Sequence, residues 1–200
     1  MDRISFNTFP RGRKDDEEYL KVQGVMRFRR LPDAWSEAAY RYWWLPEWND
    51  SHTRIIRPAR MGAREKERYT VEEFKNILTT QGRTYILTYM SSSTPTTPAW
   101  AQYFAVGTFP LTAVSPGDTS VQTEIFRAAP NTITITATQL DLAILLGSAQ
   151  AVGILTNAGL YGVAATSTSG SGTLVTHALL NSFNKANGPA YTVDYLLNVQ

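Results

Sequence analysis

Cysteine is absent from this chain, so neither a disulfide nor a thiolate can contribute to its stability or chemistry. Histidine is almost as scarce: His52 and His177 are the only two, and they lie far apart. A metal site needs clustered His, Cys, Asp or Glu side chains, so neither a metal nor a cofactor is expected. Long apolar runs are also missing. The closest, Leu140 to Ile154, is interrupted by Asp141, Ser148 and Gln150, and spanning a bilayer takes about 18 apolar residues. The opening Met1-Asp2-Arg3 carries no apolar stretch of the signal-peptide kind. No membrane partner is expected, and synthesis is expected in the cytoplasm. Glycines 153, 159 and 162 lack a following Lys-Ser/Thr, which excludes a phosphate loop of the familiar type.

What is present is a globular composition, 43% hydrophobic and 18% charged, with charge divided unevenly. Residues 1–90 hold 17 basic and 13 acidic residues, a net charge of +4. Residues 91–200 hold only Arg127 and Lys185 against Asp118, Glu124, Asp141 and Asp194, a net charge of −2. Four of the five tryptophans, Trp35, Trp43, Trp44 and Trp48, also fall in the first part. Such asymmetry points to two tasks.

Residues 1–69 read as an extended arm rich in Arg and Trp, punctuated by Pro10, Pro32, Pro46 and Pro58. A short helix at 36–44 is the only periodic element expected there. Residues 70–200 read as one β domain. At its start, Thr70 and Glu73 have capping-box spacing, Phe74, Ile77 and Leu78 form an apolar stripe, and Gly82 suits a C-terminal cap. That predicts a helix over 70–82, followed by strands at 84–90 and 102–106. Ile133 and Ile135 alternate with threonines, and the apolar phase then shifts to Leu140, Leu142, Ile144 and Leu146, which requires a turn or bulge near Gln139. Further strands are expected at 174–180 and 191–199. The fold class is mainly β: an antiparallel β-sandwich with one short helix, preceded by the arm.

Catalytic chemistry has little to work with. Asp118 sits in Ser115-Pro116-Gly117-Asp118-Thr119, which reads as a turn leading into a short helix that Asp118 or Thr119 would cap. Glu124 and Arg127 read as a surface pair on that helix. His177 reads as a half-buried sheet residue. No enzymatic activity is expected. The basic clusters Arg27-Phe28-Arg29-Arg30 and Arg54, Arg57, Arg60 would suit phosphates, but neighbouring acids leave too little net charge for a nucleic-acid partner. Tryptophan and arginine are enriched at protein interfaces, so Arg29, Arg30, Trp35, Trp43, Trp44 and Trp48 are the expected interface anchors. The competing reading is that these tryptophans fold into a small core of their own.

The run Tyr103 to Thr108, with the expected helix at 71–80 and strand at 84–90 ahead of it, resembles the beginning of a family of tailed-bacteriophage tail-fibre and virion structural proteins. Tyr103-Phe104-Ala105-Val106-Gly107-Thr108 is similar to the family's opening strand. Asp118-Thr119-Ser120-Val121-Gln122-Thr123-Glu124-Ile125-Phe126-Arg127 resembles its Asp-Thr-x-Leu-x-x-Glu-x-x-Arg segment. Ile133 to Leu146, Asn157-Ala158-Gly159-Leu160-Tyr161, Gly172-Thr173-Leu174, Lys185 and the terminal Tyr191-Thr192-Val193-Asp194-Tyr195 follow in the family's order. The resemblance covers about residues 71–200. It departs at Asn157, where an acid is common, and at His177, where a basic residue is usual; if those two positions pair, the pair is replaced here. The resemblance implies a virion component, a tail, collar or fibre-attachment piece, localised to the virion after assembly in the host cytoplasm. Its implied partners are other virion proteins and further copies of itself. The alternatives are a capsid decoration (cement) protein and a receptor- or glycan-binding module.

Overall fold

Tyr191, Val193, Tyr195 and Leu197 alternate with Thr192, Asp194 and Leu196 along the last strand, and all four side chains are buried in one core. The same period of two organises most of the protein. The computed structural model describes residues 22–32, 37–45, 47–48, 55–57, 59–91, 101–135 and 139–199. Their elements are β1 (Val22–Arg30), α1 (Glu37–Trp44), β2 (Glu47–Trp48), β3 (Ile55–Arg57), α2 (Ala63–Glu67), β4 (Thr70–Leu78), α3 (Thr80–Ser91), β5 (Tyr103–Gly107), β6 (Glu124–Ala128), β7 (Thr132–Ile135), β8 (Gln139–Leu146), β9 (Gly153–Gly162), β10 (Thr173–Lys185) and β11 (Tyr191–Val199). Nine strands form one antiparallel sheet in the order β6-β5-β9-β10-β4-β1-β11-β8-β7, and β2 pairs with β3 separately. The protein is therefore mainly β and antiparallel, as its alternating strands predict.

The sheet curls around its own core. Phe104 and Val106 of β5 share one buried cluster with Leu142 and Ile144 of β8, although five strands lie between them in the sheet order. Each neighbour is antiparallel, so the two edge strands, β6 and β7, run in the same direction. Only residues 129–131 connect them. At about 3.3–3.6 Å per residue, this link holds the two edges within about 14 Å of each other at that corner. One chain path thus pairs first with β5 at one edge and then with β8 at the other. Opposite walls meet across a side-chain-filled interior, which is how a single curled sheet acquires the packing of a sandwich.

Two expectations are corrected. Residues 22–30 are not part of an arm. As β1 they lie between β4 and β11, with Met26 opposite both Phe74 and Tyr195. Met26 and Phe28 point into the core while Arg27 and Arg29 point out, an alternation too short to stand out among the surrounding charges. A boundary at 69/70 therefore divides one sheet. The structure also turns the predicted helix at 70–82 and strand at 84–90 into the reverse order, β4 followed by α3. The helix cap is Thr79, whose Oγ1 accepts a hydrogen bond from the Gly82 amide at 2.9 Å. Pairing with β1 claims 70–78 as strand and overrides the local pattern. Gly82 is no C-terminal cap: it lets the first turn of α3 sit against β10, where a Cβ would collide with the Val175 carbonyl. The phase shift in 133–146 is a hairpin, with Ile133 opposite Leu142 and Ile135 opposite Leu140.

Candidate interface around the arginine and tryptophan residues

Outside the curled sheet, α1 lies on the outer face of β8 and β11. Tyr40 and Trp44, four residues apart, share one side of this helix and are completely buried with Leu31, Leu45 and Ala143. The Tyr40 hydroxyl meets Thr192 Oγ1 at 3.2 Å. The Trp44 ring lies beside two cations, with Arg29 Cζ 5.8 Å and Lys66 Nζ 5.1 Å from its centroid. Lys66 also donates to the Trp44 carbonyl at 2.7 Å. Burial holds the Lys66 ammonium below its ordinary value.

Arg29 has a structural task. It is buried and bonds to Asp194 Oδ2 at 2.6 Å, Thr70 Oγ1 at 3.1 Å and Glu67 Oε2 at 3.4 Å, tying β1 to β11, β4 and α2. Arg27 beside it reaches Glu73 at 2.8 Å. Asp141 of β8 completes this charged layer; burial, and then the nearby Asp194 carboxylate, push its carboxyl up to about 6. Arg27, Arg29, Lys66, Asp141 and Asp194 all line a cavity of about 360 Å3.

The predicted anchors therefore separate. Trp44 and Arg29 are internal, and a fully buried ring cannot reach a neighbouring subunit, so these two are corrected to core residues. Arg30 is exposed, and its amide donates to the Tyr69 carbonyl at 3.0 Å. Trp35 lies outside the described residues. Trp48 is in β2, and its side chain is outside them. Trp43 remains at the surface, 43% exposed, and its neighbour Tyr42 is 41% exposed. Their rings meet edge to face at 5.2 Å, with Arg60 Cζ 3.9 Å from the Tyr42 centroid and 5.8 Å from that of Trp43. The Met61 amide donates to the Trp43 carbonyl at 2.9 Å, holding the two segments together. Sequence reasoning missed Tyr42 and offered Arg60 only for phosphate contact. Tyr42, two residues from both Tyr40 and Trp44, falls on the other side of α1, whereas Trp43, three residues from Tyr40, is placed outside only by how α1 packs on the sheet.

A second outer cover is the segment between β5 and β6. Val121 packs with Ala105, Tyr161 and Leu174, and its amide donates to the Tyr161 hydroxyl at 2.6 Å. Asp118 forms the expected turn with Ser115, but no helix follows; Glu124 begins β6 instead. Asp118 Oδ2 lies 2.6 Å from His177 Nδ1, and His177 Nε2 lies 3.4 Å from Asn157 Oδ1. His177 is buried rather than half-buried. Asn157 accepts from the Gln122 amide at 2.8 Å and donates to the Gln122 carbonyl at 3.2 Å, which a carboxylate could not do. Glu124 and Arg127 form a two-pronged pair at 2.7 Å, made possible by a register shift in β6 that turns residues three apart toward each other. Arg127 also lies 4.0 Å from the Tyr161 ring centroid.

Among the described residues, no group of three or more His, Cys, Asp or Glu is arranged to hold a metal, and no helix is long and apolar enough to cross a membrane. Comparison with protein-family models, curated proteins and solved structures finds no match to this chain.

Proposed function

We propose that this protein is a structural component of a tailed-phage virion, a tail, collar or fibre-attachment piece, that works by assembling with copies of itself and other virion proteins. The observation that carries the reading is the meeting of Asp118, Asn157 and His177. The resemblance singles out these positions from three separate stretches, and in the fold one hydrogen-bonded cluster joins them. Asn157 and His177, where the resemblance has an acid and a basic residue, lie in contact. The exposed Tyr42, Trp43 and Arg60 supply the aromatic and cationic anchors that protein interfaces favour. Light scattering of the full chain over a hundredfold concentration range, with negative-stain microscopy, tests the proposal. A closed oligomer of fixed mass is expected. A monomer at every concentration overturns it.

A further inference from the structure

The curled sheet leaves a seam. Beside the link 129–131, a cleft of about 540 Å3 opens between Phe126, Ala128 and Ala129 on one side and Leu145, Tyr40 and Leu31 on the other. Among the described residues, no charged side chain lines it. β6 forms one wall and is an edge strand: among the described residues, nothing pairs with its outward backbone. An unpaired edge bordering an uncharged groove is suited to strand addition, in which backbone bonds give affinity and the groove takes alternate side chains.

The chain carries a segment of matching chemistry. Residues 1–21 lie outside the described residues. Within them Ile4-Ser5-Phe6-Asn7-Thr8-Phe9-Pro10 has no charge, whereas Arg11 to Glu18 is dense in it. Ile, Phe and Thr favour extended pairing, and the single proline falls at the end of the run, where it removes no internal donor. The uncharged stretch 92–100 carries Pro95 and Pro98 within it and suits a ladder less well. Eleven residues, Arg11 to Lys21, separate the segment from β1. Extended, they reach about 36 Å.

We infer that Ile4–Pro10 of one copy docks as an added strand in the β6 seam of a neighbouring copy. This rests on the self-assembly proposed above and names the element that performs it. Since the chain has no native cysteine, crosslinking of full-length variants reads the contact directly. Phe6→Cys is mixed with Ala129→Cys under mild oxidation, and with Thr112→Cys, exposed between β5 and β6 and not lining the cleft, as a control. The expected result is a covalent dimer in the first mixture, at least tenfold more abundant than in the second. In addition, full-length Phe6→Asp/Phe9→Asp should lower the oligomer's mass while leaving the urea midpoint unchanged. Equal crosslinking in both mixtures, or crosslinking of a Phe6→Cys/Ala129→Cys double variant only within its own chain, overturns the inference. An oligomer that forms while the first mixture yields no covalent dimer also overturns it but leaves self-assembly standing. A monomer by light scattering removes both.

Discussion

Two adjacent tryptophans have opposite fates. Trp44 is fully enclosed between α1 and the sheet, whereas Trp43 faces outward beside Tyr42. Trp44→Ala is expected to cost about 3–5 kcal/mol in urea denaturation, the range for a large buried aromatic. Trp43→Ala should cost less than about 1 kcal/mol but weaken self-association, read as a lower average mass in light scattering. Asp141 gives a pH-dependent prediction. Its carboxyl is pushed up to about 6 in the fold, against about 4 in an unfolded chain. The folded state holds the proton where the unfolded chain has released it. The resulting stability is present below about pH 4 and is lost as pH rises through about 6. Asp141→Asn should therefore be more stable than the parent by about 1–3 kcal/mol at pH 8, with the difference vanishing near pH 3.5. Equal urea midpoints at both pH values would contradict this.

At the scale of elements, β1 is the strand whose loss the fold tolerates least. It fills the middle of the sheet, pairing with β4 on one side and β11 on the other, and supplies Met26 and Phe28 to the core. Removal of residues 1–69 is expected to abolish cooperative unfolding by circular dichroism, because it exposes two ladder edges and opens the core; a stable, cooperatively melting 70–200 fragment would show that the sheet can reclose without it. α3 depends on a close approach instead. Gly82→Ala places a Cβ against the Val175 backbone and should cost about 1–3 kcal/mol, as forced overpacking does, measured by the shift in urea midpoint.

For the whole molecule, the decisive feature is a sheet that curls until its two edges are consecutive in the chain. Among the described residues this geometry encloses one main core, leaves the β6 edge without a strand partner, and presents two outer covers, one of tryptophan and arginine and one bound to His177. The covers are held by different chemistry. The first rests on buried rings and the Arg29–Asp194 bond, the second on side-chain bonds to backbone amides at Val121 and Gln122. Damage to one should leave the other intact: Trp44→Ala and Asn157→Ala are expected to add within about 0.5 kcal/mol, as separated sites do, and a double-mutant cycle measures it.

The β character, the hairpin of 133–146, the last strand and the short helix ending at Trp44 follow from local pattern alone, because each has a period that its own residues satisfy in one conformation. The turn at Asp118 is legible from its residues, Ser115-Pro116-Gly117-Asp118. Tertiary structure decided the rest. The pattern of 70–82 fits a helix locally, yet pairing with β1 makes most of it a strand. Arg29 reads as an interface anchor, yet Asp194, 165 residues away, makes it internal. Trp43 and Trp44 are indistinguishable in composition; only the packing of α1 on the sheet fixed which one is core and which one faces out. Such assignments depend on partners distant in the chain, and no local period records them.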